Sequence, residues 1–322
     1  MKLKLVVMPP QDELLRTWVS RLQRDLPGYI IAAPETDADA RRELVDADAA
    51  YGWVPPEALP AATKLRWLQN PYAGPFPNYY YPELIAHPVT VTNPRGIYSD
   101  HIAHHIMTFV LGLARGLPYY LDAQRQRRWD KNARKQTYID LTKATALIIG
   151  VGGIGAEAAR LCTAFGMTVL GVDPRPEHVV EGVEIYAASA LSRLLPQADF
   201  VIVTTPHTPE TEGMWNAQRF GQMKRTAHFI NIGRGKTTRL EDLADAVEQG
   251  VIAGCGLDVY EIEPLPADHR LWGLPNVMLT PHIAVRDAEN VPERRFQIFL
   301  DNARRFAAGE PLHNVVDKAA WF

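Results

Sequence analysis

The chain predicts an α/β fold: a doubly wound parallel sheet forming one domain, and a smaller, discontinuous α/β domain built from the two chain ends. Three observations predict it. An apolar run of strand type, Ala146-Leu147-Ile148-Ile149, ends in Gly150-Val151-Gly152-Gly153-Ile154-Gly155 and passes into the helix-forming Ala156-Glu157-Ala158-Ala159-Arg160-Leu161. A second apolar strand over residues 167–172 follows and ends in the acid Asp173. From residue 143 to about 281, buried-type strands alternate regularly with helical stretches, which is the pattern of βα units on a parallel sheet.

The remaining elements follow in order. Residues 3–8 read as a strand, and 11–26 as an amphipathic helix with Leu14, Leu15, Trp18, Val19 and Leu22 on one face. Short strands are expected over 29–32, 49–51, 67–69 and 89–92. A helix is expected over about 100–115, capped by Ser99 or Asp100. Beyond the glycine motif, 200–203, 228–232, 254–259 and 277–280 read as buried strands. A last helix over about 287–308 leaves this domain and returns to the first. The expected boundaries are 1–98 with 285–322 for the substrate domain, and 99–284 for the domain of the glycine motif.

Composition bounds the function. The 322 residues suffice for two domains with real cores. A formal net charge of -3 offers no basic field for nucleic acid. The basic stretch 125–135 reads as a solvated or subunit-contacting surface. Two cysteines, Cys162 and Cys255, lack metal-ligand spacing and read as buried thiols of a cytoplasmic protein. No apolar run approaches a membrane span, so neither membrane nor nucleic acid is an expected partner.

The glycine motif carries chemistry. Gly150 permits a tight turn, Gly152 lets backbone approach a pyrophosphate, and Gly155 lets helix pack on strand, with the helix N-terminus facing the phosphates. Asp173 stands where dinucleotide folds hold the adenosine ribose hydroxyls. The cofactor expected is NAD: Asp173 would repel a 2′-phosphate, and nearby Arg175 would soften that bias. Gly150, Gly152, Gly153, Ile154, Gly155, Asp173 and Arg175 are thus candidate cofactor residues.

Three further residues lie at strand ends or in the loops that follow: Arg234, Glu263 and His282. Ligands bind outside the carboxyl ends of strands in open α/β sheets. Reduction of a 2-oxo acid needs a guanidinium to hold the carboxylate, a proton donor near neutral pKa, and a carboxylate behind the imidazole. His101, His104 and His105 share a helical turn, but no acid or cysteine pattern completes a metal site, and none is expected.

These residues resemble the D-isomer-specific 2-hydroxyacid dehydrogenase family over nearly the whole length. The resemblance rests on residues 150–155 with Asp173, and on Thr205-Pro206-His207-Thr208-Pro209-Glu210-Thr211. It also rests on Asn231-Ile232-Gly233-Arg234-Gly235, on 258–264 and on 280–284. It implies Arg234 as substrate anchor, His282 as acid/base and Glu263 as its partner. It implies that Asp258 contacts the nicotinamide amide, and that Thr205, Pro206, Ile232 and Gly233 line the cofactor, with Arg234, His282 and Ala284 close by. Ala73 and Gly74 match the loop whose amides meet the substrate carboxylate. A homodimer through the cofactor domain is also implied.

The chain departs from the family at Gly233, where Ser or Ala is usual, and at Thr237-Thr238-Arg239. It departs again at His104, His207 and Pro75-Phe76-Pro77, which leads to Tyr79-Tyr80-Tyr81. The aromatic cluster with Tyr72 is either a lid over an apolar substrate or a loop packed on its own domain or at a subunit contact. The expected activity is NAD-dependent interconversion of a D-2-hydroxyacid and its 2-oxo acid, in a cleft between domains whose closure excludes water. The substrate would be glyoxylate, hydroxypyruvate or a bulkier acid. An NAD-sensing, corepressor-like protein with little turnover, or a formate- or phosphite-type dehydrogenase, are the alternatives.

Overall fold

A computed structural model describes residues 2–73, 78–131, 138–177, 180–286 and 288–319. The chain divides into two units, Met1–Ile97 with Glu289–Phe322, and Tyr98–Ala288. The first begins β1 (Leu3–Val7), α1 (Glu13–Asp25), β2 (Tyr29–Ala32), α2 (Asp37–Leu44) and β3 (Ala49–Tyr51). It continues through β4 (Trp67–Gln69), α3 (Pro82–Ala86) and β5 (Thr90–Thr92). The second runs α4 (Ser99–Ala114), α5 (Leu117–Arg125), β6 (Thr145–Ile149), α6 (Gly153–Ala164), β7 (Thr168–Val172) and β8 (Glu184–Tyr186). Then come α7 (Leu191–Leu194), β9 (Phe200–Val203), α8 (Ala217–Phe220), β10 (His228–Asn231), α9 (Leu240–Glu248), β11 (Gly254–Leu257) and β12 (Val277–Leu279). The last helix, α10 (Val291–Ala308), belongs to the first unit.

The first unit is a five-stranded parallel sheet in the order β2-β1-β3-β4-β5. Successive strand side chains face opposite ways, and β1 shows it. Leu5 and Val7 join Trp18, Leu22, Phe296 and Phe299 on one face, while Val6 joins Leu44, Leu68 and Tyr79 on the other. Asp12 caps α1, its carboxylate accepting from the Leu15 amide at 2.7 Å. The buried stripe of α1 starts at Trp18; Leu14, expected on that face, sits in the first turn and stays 39% exposed.

The second unit holds a seven-stranded sheet, β12-β11-β10-β9-β6-β7-β8, parallel throughout. The order reverses between β6 and β9, and such switch points open a crevice at the strand carboxyl ends. Both faces are covered: Leu147 and Ile149 pack into one core, Ala146 and Ile148 into the other. That is why these strands read as unbroken apolar runs. Gly256 in β11 leaves room for Phe109 of α4, because a Cβ there would lie 2.7 Å from the ring.

One local expectation needs correction. No side chain caps α4, which starts at Ser99 behind Tyr98; Asp100 instead accepts from the adjacent His101 amide at 3.0 Å. The helix expected over about 100–115 ends as read: α4 stops at Ala114, and Gly116, whose φ of 62° is left-handed, separates it from α5. Among the described residues no helix is long and apolar enough to cross a membrane.

Candidate active site

The catalytic candidates sit on three loops of the second unit. Directly after β10, the side chain of Asn231 ties a knot. Its Nδ2 donates to Arg234 O (3.2 Å), Thr237 Oγ1 (3.2 Å) and Thr238 Oγ1 (3.0 Å). Its Oδ1 accepts from the Gly233 amide at 3.0 Å. The threonines that depart from the family pattern are therefore the partners that fix the Arg234 turn. Gly235 is obligatory here, since a Cβ would meet Tyr260 O at 1.8 Å. Arg234 remains solvent-exposed and donates through Nη1 to Gly233 O at 2.8 Å. Crowding by surrounding protein lowers its pKa from the ordinary arginine value, and Glu263 opposes that shift.

After β11, Asp258 is 2% exposed and holds the next loop. It accepts from Thr280 Oγ1 (2.6 Å), the Ile283 amide (2.9 Å) and the Ala284 amide (3.1 Å). Tyr260 links the same loops, donating from its hydroxyl to Thr280 O at 2.9 Å.

Glu263 and His282 form a pair. Glu263 accepts from the Tyr260 amide through Oε1 and faces His282 Nδ1 through Oε2, both at 2.9 Å. A carboxylate only accepts, so Nδ1 carries the hydrogen and Nε2 is left for proton exchange. His282 holds a φ of 55°, uncommon for a residue with a Cβ, and the next two amides, held by Asp258, keep it there. Arg234, Glu263 and His282 line one open pocket of about 290 Å³ with His207, Gly235, Lys236, Val259, Tyr260 and Glu261. His207 Nε2 lies 3.3 Å from Glu212, and Glu261 is spent on Arg239 and the Leu240 amide.

The cofactor candidates gather at the switch point. Gly150 has a φ of 91°, and a Cβ on it would press Thr205 at 3.1–3.2 Å. A Cβ on Gly155 would lie 2.0 Å from Gly150 O, and one on Gly233 would lie 2.5 Å from Thr205 O. The Gly233 departure thus lets the β9 and β10 loops touch. Gly152 faces open space, with nothing within 4 Å of a built Cβ. The first-turn amides of α6, from Gly153, Ile154 and Gly155, precede any intrahelical acceptor. Thr205 Oγ1 is buried without a partner. An open glycine backbone, helix-end amides and an orphaned hydroxyl together fit a dinucleotide.

Asp173, 5% exposed, accepts from the Val151 amide (2.8 Å) and the Arg175 amide (3.0 Å), with Arg175 Nε 3.7 Å away. Pro206 O accepts from Thr211 Oγ1 at 2.8 Å, which closes that loop. Ile232 and Ala284 pack against one face of the sheet.

In the first unit, Ala73 O accepts from Asn93 Nδ2 at 3.2 Å, and Gly74 with residues 75–77 lies outside the described residues. Tyr79, Tyr80 and Tyr81 are core residues at 0%, 5% and 7% exposure, with Tyr79 and Tyr81 donating to Gly52 O and Val54 O. These three tyrosines pack on their own domain, whereas Tyr72 is 48% exposed and Phe76 lies outside the described residues. Reasoning from sequence missed the supporting roles of Thr280, Tyr260 and His105; Asn231 stood in a quoted motif without a role.

Comparison with known proteins places the chain. The family model for the D-isomer specific 2-hydroxyacid dehydrogenase NAD binding domain matches residues 107–284. Glyoxylate reductase of Thermococcus kodakarensis is 34% identical over 304 residues, 92% of this chain and 88% of that protein. The solved NADPH-dependent glyoxylate/hydroxypyruvate reductase of Sinorhizobium meliloti, in complex with NADP and sulfate, matches with a TM-score of 0.78 at 29% identity, covering 100% of both chains. A D-isomer specific 2-hydroxyacid dehydrogenase of Xanthobacter autotrophicus Py2, in complex with NADPH and MES, gives a TM-score of 0.78 at 30% identity, again over 100% of both chains. With its glycine turn, its strand-end trio and these relatives, the chain belongs to the D-isomer-specific 2-hydroxyacid dehydrogenase family, oxidoreductases that use a nicotinamide dinucleotide.

Proposed function

We propose that the protein is an NAD-dependent reductase that converts a small 2-oxo acid, glyoxylate or hydroxypyruvate, to its 2-hydroxyacid, of D configuration where C2 is a stereocentre. The observation that carries this reading is the Glu263–His282 pair sharing a pocket with Arg234. Arg234 binds the substrate carboxylate with two parallel hydrogen bonds and polarises the adjacent carbonyl. His282 gives the proton on Nε2 to the carbonyl oxygen as it becomes a hydroxyl, and Glu263 stabilises the imidazolium that precedes transfer. The bound cofactor supplies the hydride to C2. The family resemblance implies Ala73 and Gly74 as backbone amide donors to the substrate carboxylate. Burial of Tyr79, Tyr80 and Tyr81 removes three of the five aromatic residues from any apolar lid, which favours a small substrate.

Asp173 supports NAD over NADP: its buried carboxylate stands at the end of β7, where a 2′-phosphate would meet like charge. The solved relatives from S. meliloti and X. autotrophicus carry NADP and NADPH, so the preference is tested directly. The protein is further proposed to be a cytoplasmic homodimer; a monomer mass by light scattering at micromolar concentration would refute the dimer.

The deciding experiment follows NADH absorbance against glyoxylate, hydroxypyruvate, pyruvate, phenylpyruvate and branched 2-oxo acids, with formate and phosphite run in the oxidative direction. Turnover of glyoxylate or hydroxypyruvate is expected. NADH binding with no turnover on any acid would make the protein a cofactor-sensing relative instead.

A further inference from the structure

The loop that carries His282 hangs from a partly buried polar chain that starts on α4. Thr280 Oγ1 lies 2.6 Å from Asp258 Oδ1 and 2.8 Å from His105 Nε2. Asp258 also accepts from the Ile283 and Ala284 amides, with His105 Nε2 itself 3.7 Å from Oδ1. A carboxylate has no hydrogen to give, so the single Thr280 hydroxyl proton goes to Asp258. The hydroxyl can then only accept from His105, and His105 Nε2 must carry the hydrogen. Burial lowers the His105 pKa and favours the neutral ring, with Asp258 pulling the other way. The imidazole plane is set by an edge contact with Phe109, centroids 4.9 Å apart at 85°.

We infer that His105 is a positioning residue for the proposed acid His282: its Nε2–H anchors the Thr280 hydroxyl, which orients Asp258 and with it the backbone turn over 282–284. The turn needs such support, because His282 sits at a positive φ of 55°. The Asp258 carboxylate is the group that holds the next two amides. Rotating that carboxylate by loss of one donor would release them, and the imidazole would leave its place beside Glu263. This inference rests on the reading of His282 as proton donor, but the relay itself can be tested apart from activity.

Long-range proton–nitrogen NMR of the cofactor-free, histidine-labelled protein reads the tautomer, with the His105 signal identified by its absence in His105→Gln. The expected result is hydrogen on Nε2, lost or shifted in Thr280→Val; hydrogen on Nδ1 instead would overturn the relay. In steady state, His105→Leu is expected to lower kcat by about tenfold, the scale of one hydrogen bond. KM for glyoxylate should stay within about twofold, since Arg234 is untouched. His105→Gln keeps a donor at comparable reach and should recover most of the rate. Thr280→Val should match His105→Leu, and the double variant should be no slower than either. Full kcat in His105→Leu, no recovery in His105→Gln, or losses that multiply in the double variant would each sink the inference. A wild-type protein that reduces no 2-oxo acid would sink the functional reading, while the tautomer would still judge the relay.

Discussion

On one side of the switch between β6 and β9, the polar work is left to backbone. Gly150 turns with a positive φ, Gly152 leaves open space, and Gly155 lies so close to Gly150 O that no side chain fits. On the other side, the ends of β10, β11 and β12 present side chains. Each is held by another: Arg234 through the Asn231 knot, Glu263 through the Tyr260 amide, His282 through Glu263 and the amides on Asp258. The difference teaches how the halves fail. The glycine half is limited by space, so one methyl group matters there. The side-chain half is limited by orientation, so losing a holder should cost rate in graded steps.

The largest break should come from the side-chain half. His282→Ala is expected to lower kcat by about 10²–10⁴-fold, because general acid catalysis acts in the transition state. NADH binding, followed by fluorescence titration, should be unchanged, since the glycine half is intact. If His282→Ala kept full turnover, the assignment of the proton donor would be abandoned. The opposite pattern is expected of Gly155→Ala. Its Cβ would lie 2.0 Å from Gly150 O, so turn or helix must shift. NADH affinity should fall about 10–100-fold, the cost of moderate overpacking, with the far-ultraviolet spectrum retained. Affinity equal to wild type would mean that the close approach of α6 to the turn is unimportant. Asp173→Asn keeps the acceptor for the Val151 amide and removes the charge. The ratio of kcat/KM with NADPH to that with NADH should rise by about tenfold, and an unchanged ratio would show that selectivity lies elsewhere.

The two halves also differ in how openly the sequence states them. Residues 146–155 and Asp173 are legible because everything they do is local: a buried strand, a turn, a helix start. Arg234, Glu263 and His282 are legible as residue types at strand ends. Their holders are not, because those contacts join distant positions; His105 meets Thr280 across 175 residues. No local pattern marks a histidine on a helix as a donor to a threonine on a loop. Tyr79, Tyr80 and Tyr81 stayed open between two readings for a related reason. A tyrosine run looks like a surface lid until the Gly52 and Val54 carbonyls that take two of its hydroxyls are known. The edge strand β8 escaped notice because Glu184 faces solvent and breaks the apolar signal.

The smallest effect should come from the opposite end of β10. His228 begins that strand, three residues before Asn231, at the edge away from the strand carboxyl ends. It is 7% exposed, lies stacked on Phe200 with centroids 5.5 Å apart, and its Nδ1 has no partner. Burial lowers its pKa to about 4, with Asp199 opposing, against about 6.5 in an unfolded chain. The sign follows from proton counts. Above about pH 6.5 the ring is neutral in both states, and stability is fully present. As pH falls toward 4 the unfolded chain binds a proton that the folded protein refuses, so stability drains by up to about 3 kcal/mol. Below about 4 both states are protonated, and this group adds no further loss. His228→Phe keeps a flat ring on Phe200 and removes the titration. Urea unfolding should show the variant gaining on wild type at pH 4.5 relative to pH 7.5, while kcat at pH 7.5 stays within about twofold because the substitution touches neither the glycine turn nor the strand-end trio. An equal stability difference at both pH values would show that His228 does not titrate in the interior. A loss of kcat would show that this end of the strand is coupled to the Arg234 turn after all.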